Sequence, residues 1–371
     1  MNKRWLFVLF SICPLLFIAC MGDDTTALDG GMVIVDASHD TSSPDVGRPF
    51  SDGYPSFTDG DDSDAGFQPD TSGCVSVSVP DNGLPYGGGP VILNTVNVYL
   101  IWYGDWSYAP KAPGLVNDLI VGLNASPILD INTGYYQLDG IGTDGGPVGY
   151  QFDHCGTIVY GDAGIDESPP PFWYPSYVSG KVQLVQSVND LYSLGANLQG
   201  NNIWDIVSSH LTDKSLPVDT NGVYFVLTSK DVVEGNECSI YCGYHSFYPF
   251  GNDTIKIAFV GDPIQCPGLC DEWALLEDAG GYDAALPTPN GDFSSDSMAS
   301  IIFHELSEAT TDPTSESWTG FEEESDECSW IYATTYSSAN GSPANQHLDG
   351  LDWLIQEQWV NADGGYCAQH L

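Results

Sequence analysis

His304, Glu305 and Glu308 are the residues whose types and spacing could do chemistry in this chain. In Phe303-His304-Glu305-Leu306-Ser307-Glu308 the histidine and the second glutamate stand four apart, so a helix projects both from one face, one turn apart. Glu305 lies one residue round, close enough to act on a water held by the other two. This is the layout of the His-Glu-x-x-His zinc-hydrolase helix, with glutamate in place of the second histidine. It assigns His304 and Glu308 to a divalent cation and Glu305 to general-base work. A catalytic zinc takes three protein ligands and keeps one position open. The third is expected downstream, in Glu322-Glu323-Glu324-Ser325-Asp326-Glu327-Cys328, with Glu323 and Asp326 the first choices and Glu324, His347 and Asp352 behind them. One histidine among carboxylates is a harder donor set than two histidines, so Zn2+ is the expected cofactor while manganese and calcium stay open. The competing reading is a polar helix face with no ligand.

Other chemistry is weakly signalled. His154 and His245 sit beside cysteines and are expected to pack against disulfides; His210 falls on a helix and His370 at the tail, both expected at the surface. No Gly-x-Ser-x-Gly elbow occurs.

The metal helix needs a scaffold. Met298, Ile301, Ile302 and Leu306 form an apolar stripe, which leaves His304 and Glu308 on a rim beside a buried face. Asp296 or Ser297 is expected to cap its start, and Asp312-Pro313 to end it. Val96–Tyr103, Val223–Thr228 and Ile255–Val260 are β-branched and aromatic runs that read as strands, the first apolar on both faces from Tyr99 onward. A further strand is read over Gly156–Tyr160. Leu115, Leu119, Ile120 and Leu123, then Ile203, Ile206, Val207 and Leu211, have helical spacing. A last short helix is expected around Leu354, Gln358 and Trp359. The expected fold class is α+β: a mixed β-sheet backed by helices, zincin-like, with disulfide-stapled loops and antiparallel edge pairs.

The chain divides into three stretches. Lys3 and Arg4 precede an apolar run too short to span a bilayer, and Phe17-Ile18-Ala19-Cys20 resembles a lipoprotein cleavage site, so residues 1–20 are expected to be a signal peptide. Residues 21–73 hold twelve aspartates, no glutamate and one arginine, a composition expected to form an extended acidic tether. Residues 74–371 are the folded domain. Without Lys3 and Arg4 the chain has 51 acidic against 6 basic side chains, a net charge of −45 that repels nucleic acid and anionic membrane. Contact with membrane is expected only through lipid on Cys20.

Beyond Cys13 and Cys20, eight cysteines remain: Cys74, Cys155, Cys238, Cys242, Cys266, Cys270, Cys328 and Cys367. In an oxidising compartment they make four disulfides of unassigned connectivity. The rival is a structural zinc cluster of Cys238, Cys242, His245, Cys266 and Cys270.

Several spaced blocks carry a resemblance. They are Tyr86-Gly87-Gly88-Gly89-Pro90-Val91 with Asn97–Trp106, Asn221–Thr228, Cys238–His245 with Phe259-Val260-Gly261 and Gln265–Cys270, His304–Glu308 with Thr311-Asp312-Pro313, Glu323–Cys328, and Trp359-Val360 with Gly365-Tyr366-Cys367. In this order they resemble the EXORDIUM, or phosphate-induced protein, family. The resemblance implies a secreted or cell-wall-associated protein linked to growth and nutrient signalling, and brings no established enzymatic activity. Catalysis therefore rests on His304, Glu305 and Glu308. The expectation is an exported, lipid-anchored or secreted monomer, a zincin-like metallopeptidase acting on extracellular peptide or cell-wall substrate. The alternative is a non-catalytic module that binds cell-wall glycans through its aromatic residues.

Overall fold

The computed structural model describes residues 83–140, 151–152, 158–159, 173–266, 268–271, 288–320, 322–362 and 364–371. The signal, the tether, Cys74, Cys155 and His154 lie outside them, as does most of the strand read over Gly156–Tyr160; of that strand only Ile158–Val159 is described, paired with Gln151–Phe152.

Runs that are apolar on both faces need a sheet covered on both sides. In chain order the main elements are β1 (Val96–Tyr103), α1 (Ala112–Leu123), β2 (Val182–Asp190), α2 (Asn202–Thr212), β3 (Gly222–Thr228), β4 (Gly243–Phe250), β5 (Asp253–Gly261) and α3 (Phe293–Thr311). The five strands form one mixed sheet in the order β4-β5-β3-β1-β2. β2, β1, β3 and β5 run parallel, and β4 is antiparallel to β5 at the edge. Val98, Leu100 and Trp102 of β1 pack with Phe225 and Leu227 under α1 and α3. Tyr99 and Ile101 point the other way, with Tyr224, Val226 and Phe259, and meet Ile203, Ile206 and Val207 of α2. The expected mixed sheet backed by helices is what forms, with both faces covered.

α3 departs from its expected form twice. It begins at Phe293, because Asp292 is the cap: its carboxylate accepts from the Ser295 backbone N–H at 3.1 Å. Asp296 instead accepts from Thr288 and Asn290. The helix is also not half-exposed, since every residue from Ser294 to Thr311 is buried. Ser325 donates its hydroxyl towards the His304 carbonyl at 3.3 Å, and the Gln356 backbone N–H donates to Ser300 Oγ at 3.0 Å. Segments far along the chain thus cover the polar face. Local periodicity carries no trace of such a cover.

The end of the chain is also different. Gln358–Val360 is a strand paired antiparallel with Tyr366–Ala368, where a helix was expected. Gln358 and Val360 are buried and Trp359 only partly so, which is the two-residue alternation of a half-buried strand.

Among the described residues three disulfides staple the loops: Cys238–Cys266, Cys242–Cys270 and Cys328–Cys367. The first two consume the sulfur atoms of the alternative zinc cluster, which is thereby excluded. Among the described residues, no helix is long and apolar enough to cross a membrane.

Beside the first staple, the Glu237 carboxylate occupies the space that a Cβ on Gly261 would fill. Burial pushes its pKa up to about 8, with Glu234 and Asp262 adding repulsion. The folded state keeps this proton between its ordinary value of 4.5 and about 8, while the unfolded chain loses it, so stability falls across that window as pH rises. Glu237→Gln retains an acceptor for Gln265 Nε2. It is expected to match the parent at pH 4 and to exceed it by roughly 1–3 kcal/mol at pH 8.5 in denaturant titrations. Equal midpoints at both pH values would refute the assignment.

Candidate metal centre

α3 and the loop after it place a histidine among carboxylates. His304 Nε2 lies 3.0 Å from Glu308 Oε1, one turn on, and 3.3 Å from Asp326 Oδ1. Its other ring nitrogen, Nδ1, meets Gln356 Oε1 at 3.2 Å. Gln356 is itself fixed, because its side-chain amide donates to the Ser325 carbonyl at 2.7 Å. With Nδ1 turned to Gln356, Nε2 is the ring atom that faces the carboxylates, the orientation found in metal-bound histidines. This role of Gln356 was not read from the sequence.

Glu305 borders the same narrow cleft, which has a volume of about 30 Å³ and includes Gly243, His304, Trp330 and Gln356 in its wall. That is room for one or two waters. Gly243 is needed for the close approach of β4 to α3: a Cβ there would stand 2.7 Å from Ile301 Cγ2 and 2.8 Å from Glu305 Oε1.

A second histidine joins from the sheet. His245, on β4, places Nε2 2.8 Å from Glu323 Oε2 and 3.8 Å from Glu308 Oε2. Glu308 therefore turns one oxygen to each histidine. Glu323, expected to approach His304, approaches His245 instead, while Asp326 takes the place beside His304. His245 was expected to pack beside a disulfide; the structure in addition brings its ring to Glu323 and Glu308. Its available signal was a histidine at the start of an aromatic run, Gly243-Tyr244-His245-Ser246-Phe247-Tyr248, of which the first four residues are buried. Of the reserve ligands, Glu324 is fully buried and meets Gln358, whereas His347, which is exposed, pairs with Asp352 at 2.7 Å on a separate hairpin.

The electrostatics are lopsided. Past Lys230 the chain contains a single lysine and no arginine; that residue, Lys256, donates its ammonium to the Thr220 carbonyl. Burial disfavours a charged His304, yet Glu308, Asp326 and Glu305 outweigh it and hold its pKa well above the ordinary value. Burial also pushes the Glu324 carboxyl up, to about 7. The centre is built to hold positive charge.

The donor set suits a divalent metal. Bonds of about 2.0–2.2 Å at tetrahedral angles separate ligand atoms by about 3.3 Å. The His304–Glu308 and His304–Asp326 separations, 3.0 and 3.3 Å, already match.

A mixed sheet with a buried histidine–carboxylate centre between its edge strand and one covering helix defines the class. The profile described as phosphate-induced protein 1 conserved region matches residues 173–350, a span that includes His245, His304, Glu305, Glu308, Glu323 and Asp326 but not Gln356. Protein EXORDIUM-like 3 of Arabidopsis thaliana is 28% identical over 316 residues, covering 76% of this chain and 82% of the relative. Protein EXORDIUM-like 5 of the same plant is 30% identical over 243 residues, covering 63% of this chain and 59% of the relative. Over these spans the chain is similar to phosphate-induced, EXORDIUM-like proteins. No solved structure matches it.

Proposed function

We propose that this protein is an exported, surface-anchored, zincin-like hydrolase that uses a divalent cation, zinc first, to cleave peptide bonds. The observation that carries the reading is the convergence of His304 Nε2, Glu308 and Asp326 beside a cleft bordered by Glu305. A cation held there supplies Lewis acidity, polarising a carbonyl and bringing the pKa of a water down to about 7.

The chain's own groups do the rest. Gln356 holds the His304 ring in one orientation, and Glu308 and Asp326 bring negative charge to its Nε2. Glu305 takes a proton from the attacking water and passes it to the departing amine nitrogen; a C–O bond forms as the C–N bond breaks. The cleft admits the water and the reacting carbonyl, so the substrate backbone lies outside it. β4 is the outermost strand of the sheet, and an extended peptide can add to such an edge through its own main chain. The disulfides favour an extracellular setting, in keeping with the signal and the Cys20 anchor read from the sequence.

The test is metal content. The purified chain, equilibrated with micromolar Zn2+ and desalted, is expected to retain at least about one cation per chain, and His304→Ala to release it with the fold intact by circular dichroism. Metal-free parent protein, or a content indifferent to His304→Ala, would sink the proposal.

A further inference from the structure

Glu308 presents two different oxygens to two different histidines: Oε1 to His304 at 3.0 Å and Oε2 to His245 at 3.8 Å. A carboxylate can serve one cation through one oxygen and a second cation through the other. We propose that the chain holds a second divalent cation, ligated by His245 Nε2, Glu323 and Glu308 Oε2, with Glu308 bridging it to the cation beside His304. This rests on the first cation position and extends it from a single metal to a carboxylate-bridged pair, about 3.5–4 Å apart as in other two-metal hydrolytic sites.

Three observations carry it. The ligand atoms of His245, Glu308 and Glu323 lie within 4.8 Å of one another. The 2.8 and 3.8 Å separations from His245 Nε2 bracket the tetrahedral edge of about 3.3 Å, so shifts of a few tenths of an ångström seat a cation.

Burial is the second. His245, Glu308 and Glu323 are 2%, 1% and 3% exposed, and Glu323 Oε1 is a buried oxygen with no hydrogen-bond partner among the described residues. A buried carboxylate oxygen without a donor is costly unless a cation meets it.

Charge is the third. Glu305, Glu308, Glu323 and Glu324 are buried, and the side chain of Asp326 is only 9% exposed. Against these five carboxylates and two neutral imidazoles, one divalent cation leaves a net charge of −3 and a pair leaves −1. The one lysine beyond Lys230 is committed to Thr220. The pair comes closest to the neutrality that a buried cluster requires.

The chemistry expected of such a pair is hydrolytic, with harder cations such as Mn2+ accepted beside Zn2+ because carboxylates dominate the donor set. The experiment loads the purified chain with Mn2+ and reads content by atomic emission and coupling by electron paramagnetic resonance. The expected result is about two Mn2+ per chain with an exchange-coupled spectrum. His245→Ala and the near-isosteric Glu323→Gln should each bring the content to about one and abolish the coupling. A parent binding one uncoupled Mn2+, lost on His304→Ala and unaffected by His245→Ala, overturns the pair and leaves the proposed hydrolase standing. A parent binding none overturns both. Should either variant fail to fold, the parent's coupled or uncoupled spectrum decides.

Discussion

Glu305→Gln is expected to lower peptide-bond turnover by about 10²- to 10⁴-fold while the cation and the fold stay in place. The substitution keeps the volume of the side chain, so its packing against Gly243 survives. What it removes is the ability to accept a proton. Glu305 is 3% exposed and borders the cleft beside His304, so bulk water cannot readily take over the role. The loss should fall on kcat rather than KM, because the side chain is asked to act in the transition state and not to hold the substrate. The measurement is steady-state cleavage of a quenched fluorescent peptide library, with metal content determined on the same preparation. Activity retained within tenfold would remove Glu305 as the base. Activity lost together with the metal would make it a ligand instead.

The legible part of this centre was the part that a single helix encodes. His304 and Glu308 meet because four residues make one turn, and that spacing is visible without any fold. Asp326 was reachable because the His304–Glu308 motif calls for a third ligand and the acidic run Glu322–Glu327 follows it in the chain. His245 was not, since its approach depends on β4 pairing antiparallel with β5, His245 opposite Ala258, and on Gly243 letting α3 come close. Neither fact has a local signature, and the flanking cysteines offered a simpler account of the residue. The same division holds for the scaffold. Strands buried on both faces announced themselves as continuous apolar runs, whereas the cover over the polar face of α3 comes from residues around Ser325 and Gln356 that no periodicity connects to it. Gln358–Val360 was misread because three residues are too few to separate a period of two from one of 3.6.

The paired staples give the largest expected effect on stability. Cys238–Cys266 and Cys242–Cys270 each span 28 residues, and both tie the segment before β4 to the segment after β5. Closing a loop of that length is worth about 3.6 kcal/mol in the chain-entropy account. With one staple intact, however, the other closes only a short residual loop of about eight residues, worth about 2.5 kcal/mol. Removing either pair of cysteines by alanine should therefore cost about 2.5 kcal/mol. Removing both should cost about 6 kcal/mol, so the second loss is the larger. Activity separates the two singles, since Cys242 precedes Gly243 and lines the cleft, whereas Cys238 lies further from it. Cys242→Ala/Cys270→Ala is expected to reduce turnover at temperatures where it remains folded, while Cys238→Ala/Cys266→Ala leaves turnover close to the parent's. Denaturant midpoints for the four proteins, measured alongside activity, decide the matter. Equal turnover in the two singles would detach the inner staple from the centre, and a double variant no less stable than either single would show that the loops are held by packing and not by their crosslinks.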